Sequence, residues 1–155
     1  MILKTLSLTR NARILTAALV AVIGLGAAKT ARAEHTPYAQ TITCYSASTN
    51  QCYALFPAVP AKKTLVVEYI SSVAATPTPL SDAEFDVNNG SAFVYILHTL
   101  QYTNPNGDST YVASQPMLYY WSAGQQPYFV MNAQAGPFEF ISGAVTLTGY
   151  LEDTP

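Results

Sequence analysis

The chain is expected to fold as one all-β domain after a cleaved signal peptide: an antiparallel β-sandwich or jelly-roll-like arrangement of eight or nine short strands. Two observations predict that class. Apolar and polar residues alternate with period two from end to end, while no window of eleven or more residues carries an i, i+3, i+4, i+7 stripe. Clusters of Gly, Pro, Asn and Ser also cut the alternating runs at short intervals, as turns between strands do.

Residues 1–33 are set aside as the signal. Lys4, Arg10 and Arg13 precede an apolar run from Ile14 to Ala28, and Ala31-Arg32-Ala33 has the form of an A-x-A cleavage site. The run is short of the roughly 20 residues that a spanning helix requires. The remaining residues, 34–155, are read as a single exported domain that does not span the membrane. No Cys follows the cleavage site and there is no twin-Arg pair, so neither lipid attachment nor prefolded export is indicated.

Within that domain, Ile42 to Tyr45 and Cys52 to Phe56 flank the turn-like Ser46 to Asn50 and predict a hairpin. Cys44 and Cys52 are an even pair that reaches an oxidising compartment, so they predict a disulfide that clips the hairpin. Thr64 to Ser71 is apolar on both faces except at Glu68, as in a central strand covered on both sides. Ala74 to Pro79 reads as a loop. Ser81 to Asn88 alternates cleanly, and Asn88-Asn89-Gly90 ends it. Ser91 to Thr103 is the longest strand candidate, followed by the turn Asn104 to Asp108 and a return strand, Thr110 to Ala113. Met117 to Trp121, Tyr128 to Met131 and Ala144 to Glu152 complete the series, with turns at Gly124, Pro127 and Gly136-Pro137. A transmembrane β-barrel competes with this reading. Several strands are too short to cross a bilayer, and Thr64 to Ile70 does not alternate as a barrel strand does.

Charge narrows the partners. Of seven basic residues only Lys62 and Lys63 lie beyond residue 33, against nine carboxylates, which gives the domain a formal charge of −7 and no arginine. Phosphate backbones and anionic membrane surfaces are bound through clustered Lys and Arg, so neither nucleic acid nor an anionic membrane is an expected partner.

Two segments carry a resemblance: V-P-A-K-K-T-L-V-V-E-Y-I-S (Val59 to Ser71) and V-T-L-T-G-Y-L-E-D-T-P (Val145 to Pro155). Together they resemble a loose group of small exported bacterial β-sandwich proteins of unknown function, with a VPxGxxLVIEYVSG-like segment and a GYLVDxP-like ending. Lys62-Lys63 stand where that pattern has Gly, and Glu152 where it is apolar. The resemblance implies a fold and a compartment; it carries over no catalytic or binding residue.

Candidate sites are few. Asp82, Glu84 and Asp86 place three carboxylates on one strand face, a solvated edge or, with help from a loop, a Ca²⁺ site. No other cofactor is expected. Tyr119 and Trp121 share a face, expected in the core; exposed, the pair would be a stacking platform for a sugar ring or a protein. With 18 aromatic residues after residue 33, some must reach a surface, and aromatics are enriched in interfaces. His98 is expected as a packed neutral histidine and His35 in a disordered start. G-x-S-x-G, H-E-x-x-H and a free thiol are all absent, so the domain is expected not to be an enzyme. The leading expectation is an exported binding module for carbohydrate or protein. A structural subunit that assembles through edge strands is the alternative, and a carboxylate-dependent hydrolase the minor one.

Overall fold

The computed structural model describes residues 35–86, 93–136 and 140–154. Residues 1–33, expected as the signal, the expected turn Asn88-Asn89-Gly90, Pro137 and the side chain of Asp86 lie outside them. The described residues form nine strands: β1 (Thr36–Ser46), β2 (Gln51–Leu55), β3 (Lys63–Thr76), β4 (Leu80–Asp86), β5 (Phe93–Tyr95), β6 (Thr99–Thr103), β7 (Ser109–Ser122), β8 (Tyr128–Ala133) and β9 (Ile141–Asp153). They make two antiparallel sheets, a five-stranded one ordered β1-β9-β3-β7-β6 and a four-stranded one ordered β2-β8-β4-β5. This is a β-sandwich of two open sheets rather than one closed barrel. No helix among the described residues is long and apolar enough to cross a membrane.

Alternation builds the core between the sheets. Leu65, Val67, Ile70 and Ala74 of β3, with Val145 and Leu147 of β9, meet Ala54, Ala83, Phe85, Phe129 and Met131 of the second sheet. Phe85 lies at the centre, edge-on to Trp121 (ring centroids 4.9 Å apart) and to Phe56 (6.3 Å), and tilted against Phe129 (6.0 Å). Val66 explains why β3 looks apolar on both faces. It points outward yet is fully buried, with Tyr120 and Tyr150 as its cross-strand neighbours.

Three features of the fold correct the sequence reading. The first concerns the cysteines, which do form the disulfide, with Cα atoms 5.6 Å apart. Yet β1 and β2 are not a hairpin: β1 pairs with β9 and β2 with β8. The bond therefore ties the edge of one sheet to the edge of the other. Replacing both cysteines with alanine is expected to lower stability by about 2 to 3 kcal/mol, because the loop closed is short. Urea denaturation of the double variant measures it.

Second, Ser91 to Thr103 is not one strand. The chain leaves the second sheet after Tyr95, buries Ile96 and crosses to the first sheet before Thr99. Third, the two strands expected at Thr110 to Ala113 and Met117 to Trp121 are one strand, β7, and Ala74 to Thr76 belong to β3 rather than to a loop. Pro116 lies inside β7 where the register with β3 shifts, between Val67 and Tyr69. A proline has no N–H to give the ladder, so a central strand keeps one only at such an irregularity.

The Asn104 to Asp108 turn joins β6 to β7 as expected. Asn104 Oδ1 accepts from the amides of Asn106 and Asp108, and Gly107 takes φ 96°. His35 is ordered rather than loose, its ring 4.2 Å from that of Tyr150.

Candidate functional site

The crossing from β5 to β6 creates a concavity beside β4. β5 is three residues long and accompanies β4 only from Glu84 to Asp86. One further bond, from the Ile96 amide to the Ala83 carbonyl (2.8 Å), extends the pairing before the chain turns away. Among the described residues, no strand pairs with the start of β4 on that side. Between it and the crossing lies a cavity of about 430 Å³, within the range that holds small ligands.

Its lining is mixed. Leu80, Ala83, Ile96 and Leu97 supply apolar surface, while Ser81, Asp82, His98, Tyr95 and Tyr111 bring a hydroxyl, a carboxylate, an imidazole and two phenols. Tyr95 and Leu97 are exposed at 64% and 83%. Asp82 is the single carboxylate among the described lining residues. A pair of carboxylates facing each other across a cleft, as a glycosidase needs, is not assembled there.

Asp82 and Glu84 alternate outward from the second sheet. Their cross-strand neighbours on β8 are Asn132 and Val130, and Tyr95 stands opposite Glu84 on β5. Asn132 Nδ2 donates to Asp82 Oδ1. Desolvation, and then the charge of Asp82, hold the Glu84 carboxyl above its ordinary value. The carboxylate trio expected as a calcium site includes Asp86, whose side chain lies outside the described residues; among the described residues no three His, Cys, Asp or Glu side chains come together in a way that could hold a metal ion. Residues two apart on a strand are almost 7 Å from each other, and opposite Asp82 and Glu84 β8 offers an amide and an aliphatic side chain rather than further carboxylates.

Tyr119 and Trp121 lie in the core, as expected, and not on a surface as a stacking platform. Trp121 is buried at 3% exposure against Phe85, and Tyr119 packs on it with ring centroids 4.5 Å apart. They are core, as their inward-facing positions on β7 require. The exposed aromatic of that run is Tyr120, on the opposite face. Sequence reasoning missed Tyr95. The signal was the unbroken run Phe93 to Leu97, apolar on both faces where a half-buried strand would alternate.

His98 is held on both nitrogens. The Ile96 carbonyl can only accept, so Nδ1 carries the proton and donates to it at 3.0 Å; Nε2 of the neutral ring then accepts from the Ser72 hydroxyl at 2.7 Å. Burial lowers its pKa, opposed in part by the bond to Ile96. The unfolded chain titrates near the ordinary 6.5 and binds the proton first on acidification. Stability contributed by neutral His98 is therefore present above that value and declines as pH falls through 6.5 toward the lower folded pKa. Thermal melts between pH 7.5 and 5.5 are expected to show that decline, and His98→Gln to flatten it.

Comparison with protein-family models, with characterised proteins and with solved structures gives no match to this chain.

Proposed function

We propose that the domain is an exported, non-catalytic binding module that takes a neutral carbohydrate in the cavity between β4 and the β5–β6 crossing. One observation carries the reading: a concavity of about 430 Å³ with an exposed Tyr95 at its rim and a few polar groups among apolar ones. A sugar ring presents an apolar face that packs on a phenol ring and hydroxyls that need donors and acceptors at its edge. Tyr95 offers the first, and Asp82, Ser81 and Tyr111 the second. The charge of −7 without arginine disfavours anionic glycans, in keeping with a neutral ligand. The order of basic, apolar and A-x-A segments before residue 34, and the Cys44–Cys52 disulfide, support export to an oxidising compartment.

The test is a thermal-shift and NMR titration of the purified protein with a panel of neutral and amino-sugar oligosaccharides. One class is expected to raise the melting temperature and to perturb the signals of Tyr95 to His98. Tyr95→Ala should weaken that binding at least about tenfold, with little change in the unliganded melt because the side chain is mostly exposed. A panel without a binder, or binding indifferent to Tyr95→Ala, would overturn the proposal.

A further inference from the structure

Four strands lie at sheet edges, β1 and β6 in the first sheet and β2 and β5 in the second. An edge strand presents a row of unpaired N–H and C=O groups, and folded proteins blunt such rows by shortness, bulges, charge or proline. Three of the four are blunted. β5 has three residues and β2 has five, while β6 has five and a register shift between Leu100 and Tyr102. β1 is different. It runs for 11 residues, T-P-Y-A-Q-T-I-T-C-Y-S, with no charged side chain, and its register with β9 holds from Thr36–Leu151 to Ser46–Ile141 without a shift. Its single proline, Pro37, stands one residue from its end, and among the described residues no strand covers its free edge.

We infer that β1 is a self-association edge: two copies of the domain pair their β1 strands antiparallel about a two-fold axis, joining two five-stranded sheets into one of ten strands. Residues directly opposite in an antiparallel pair project from the same face, so a symmetric register keeps inward residues with inward ones and outward with outward. Centred on Thr41, such a register uses the whole strand. It sets Pro37 opposite Tyr45 of the second copy and Ala39 opposite its Thr43 on the outer face. Gln40 then faces Ile42 on the inner face, where both side chains are only half-buried in the single domain.

Charge permits a second copy in this orientation. Two domains of −7 repel, but β1 itself is uncharged, Asp82 and Glu84 are on the other sheet, and Glu152 and Asp153, at the end where β1 begins, lie beside Lys62 and Lys63, with Asp153 ion-paired to Lys63 at 2.7 Å. Antiparallel pairing puts that charged end of one copy beside the uncharged Ser46 end of the other, separating the two charged ends by roughly 35 Å. Parallel pairing would bring them together. The cavity beside β5 is on the opposite side of the sandwich from β1, so the association leaves it open and does not depend on it.

Sedimentation velocity on the purified protein between about 1 and 300 μM tests the inference, with hydrogen exchange at both ends of that range. The expected result is a concentration-dependent dimer, with amide protection over residues 36–46 rising as it forms. Thr41→Lys places like charges face to face at the axis and should weaken the dimer tenfold or more. Leu118→Lys, on the outer face of β7, should leave it unchanged. A monomer at every concentration, or a dimer without added protection over 36–46, overturns the inference, as does a dimer indifferent to Thr41→Lys. Dissociation by Leu118→Lys also overturns it, in favour of stacking through the sheet face. Protection of 36–46 only when a foreign chain co-purifies would assign the edge to another occupant and likewise refute self-pairing.

Discussion

Phe85→Ala is expected to cost about 3 to 5 kcal/mol, the range for removing a large aromatic from a packed core. Phe85 is fully buried on β4 and touches the rings of Phe56, Phe129 and Trp121, so it is the side chain through which the second sheet grips β7 of the first. These three neighbours belong to three different segments and cannot all collapse into the space it leaves. The loss is a large part of the 5 to 15 kcal/mol by which domains of this kind are usually stable. A shift of roughly 10 to 20 °C in melting temperature should accompany it. Phe85→Leu keeps most of the volume and should lose about 1.5 kcal/mol or less. Urea denaturation of both variants gives the ordering, and equal costs would mean that the ring contacts contribute little beyond volume.

Gly149→Ala should be the most damaging change among the glycines, about 3 kcal/mol, for a different reason. A Cβ at Gly149 would overlap the carbonyl oxygen of Val66 on the adjacent strand β3, and the next nearest atoms are also β3 backbone. Side chains can rotate out of the way; a central strand cannot. Gly149 also sits beside the point where β3 carries its extra residue, Glu68, against β9. The bulge and the missing Cβ together let the strands approach. Gly107 supplies the comparison. It takes φ 96° but has open space around it, so alanine there meets only conformational cost, about 1 kcal/mol. If calorimetry ranks Gly107→Ala as the more costly, the close approach of β9 to β3 is not what Gly149 is for.

Sequence periodicity located nearly every strand but could not say which sheet each joins, and the site depends on that. Period two reports a local conformation, and it reads the same for β1 and β2 whether they pair together or lie in opposite sheets. The disulfide pairing was therefore legible, whereas its role as a link between sheets was not. The split at Ile96 was hidden because an apolar run that changes sheets looks like one long strand. The cavity brings together Leu80 to Ala83, Tyr95 to His98 and Tyr111, segments whose proximity follows from strand order alone. Of its lining residues, Asp82 and His98 were noticed in the sequence, for a calcium site and for a packed histidine respectively. The histidine is packed as expected, while the cross-strand neighbours of Asp82 and Glu84 are set by β8, which nothing local in the sequence identifies.

The pairing of the first strand with the last also governs when the chain can fold. Thr41 and Thr146 hydrogen-bond across 105 positions, and β9 lies between β1 and β3 in the sheet. Until β9 is free to enter, β1 has no neighbour in its sheet and β3 lacks one side. Contacts so distant in sequence close slowly, on the millisecond-to-second scale typical of all-β domains, and a growing chain cannot complete them piece by piece. The first sheet therefore stays open until β9 is available, long enough for chaperones to hold the chain as an unfolded polypeptide.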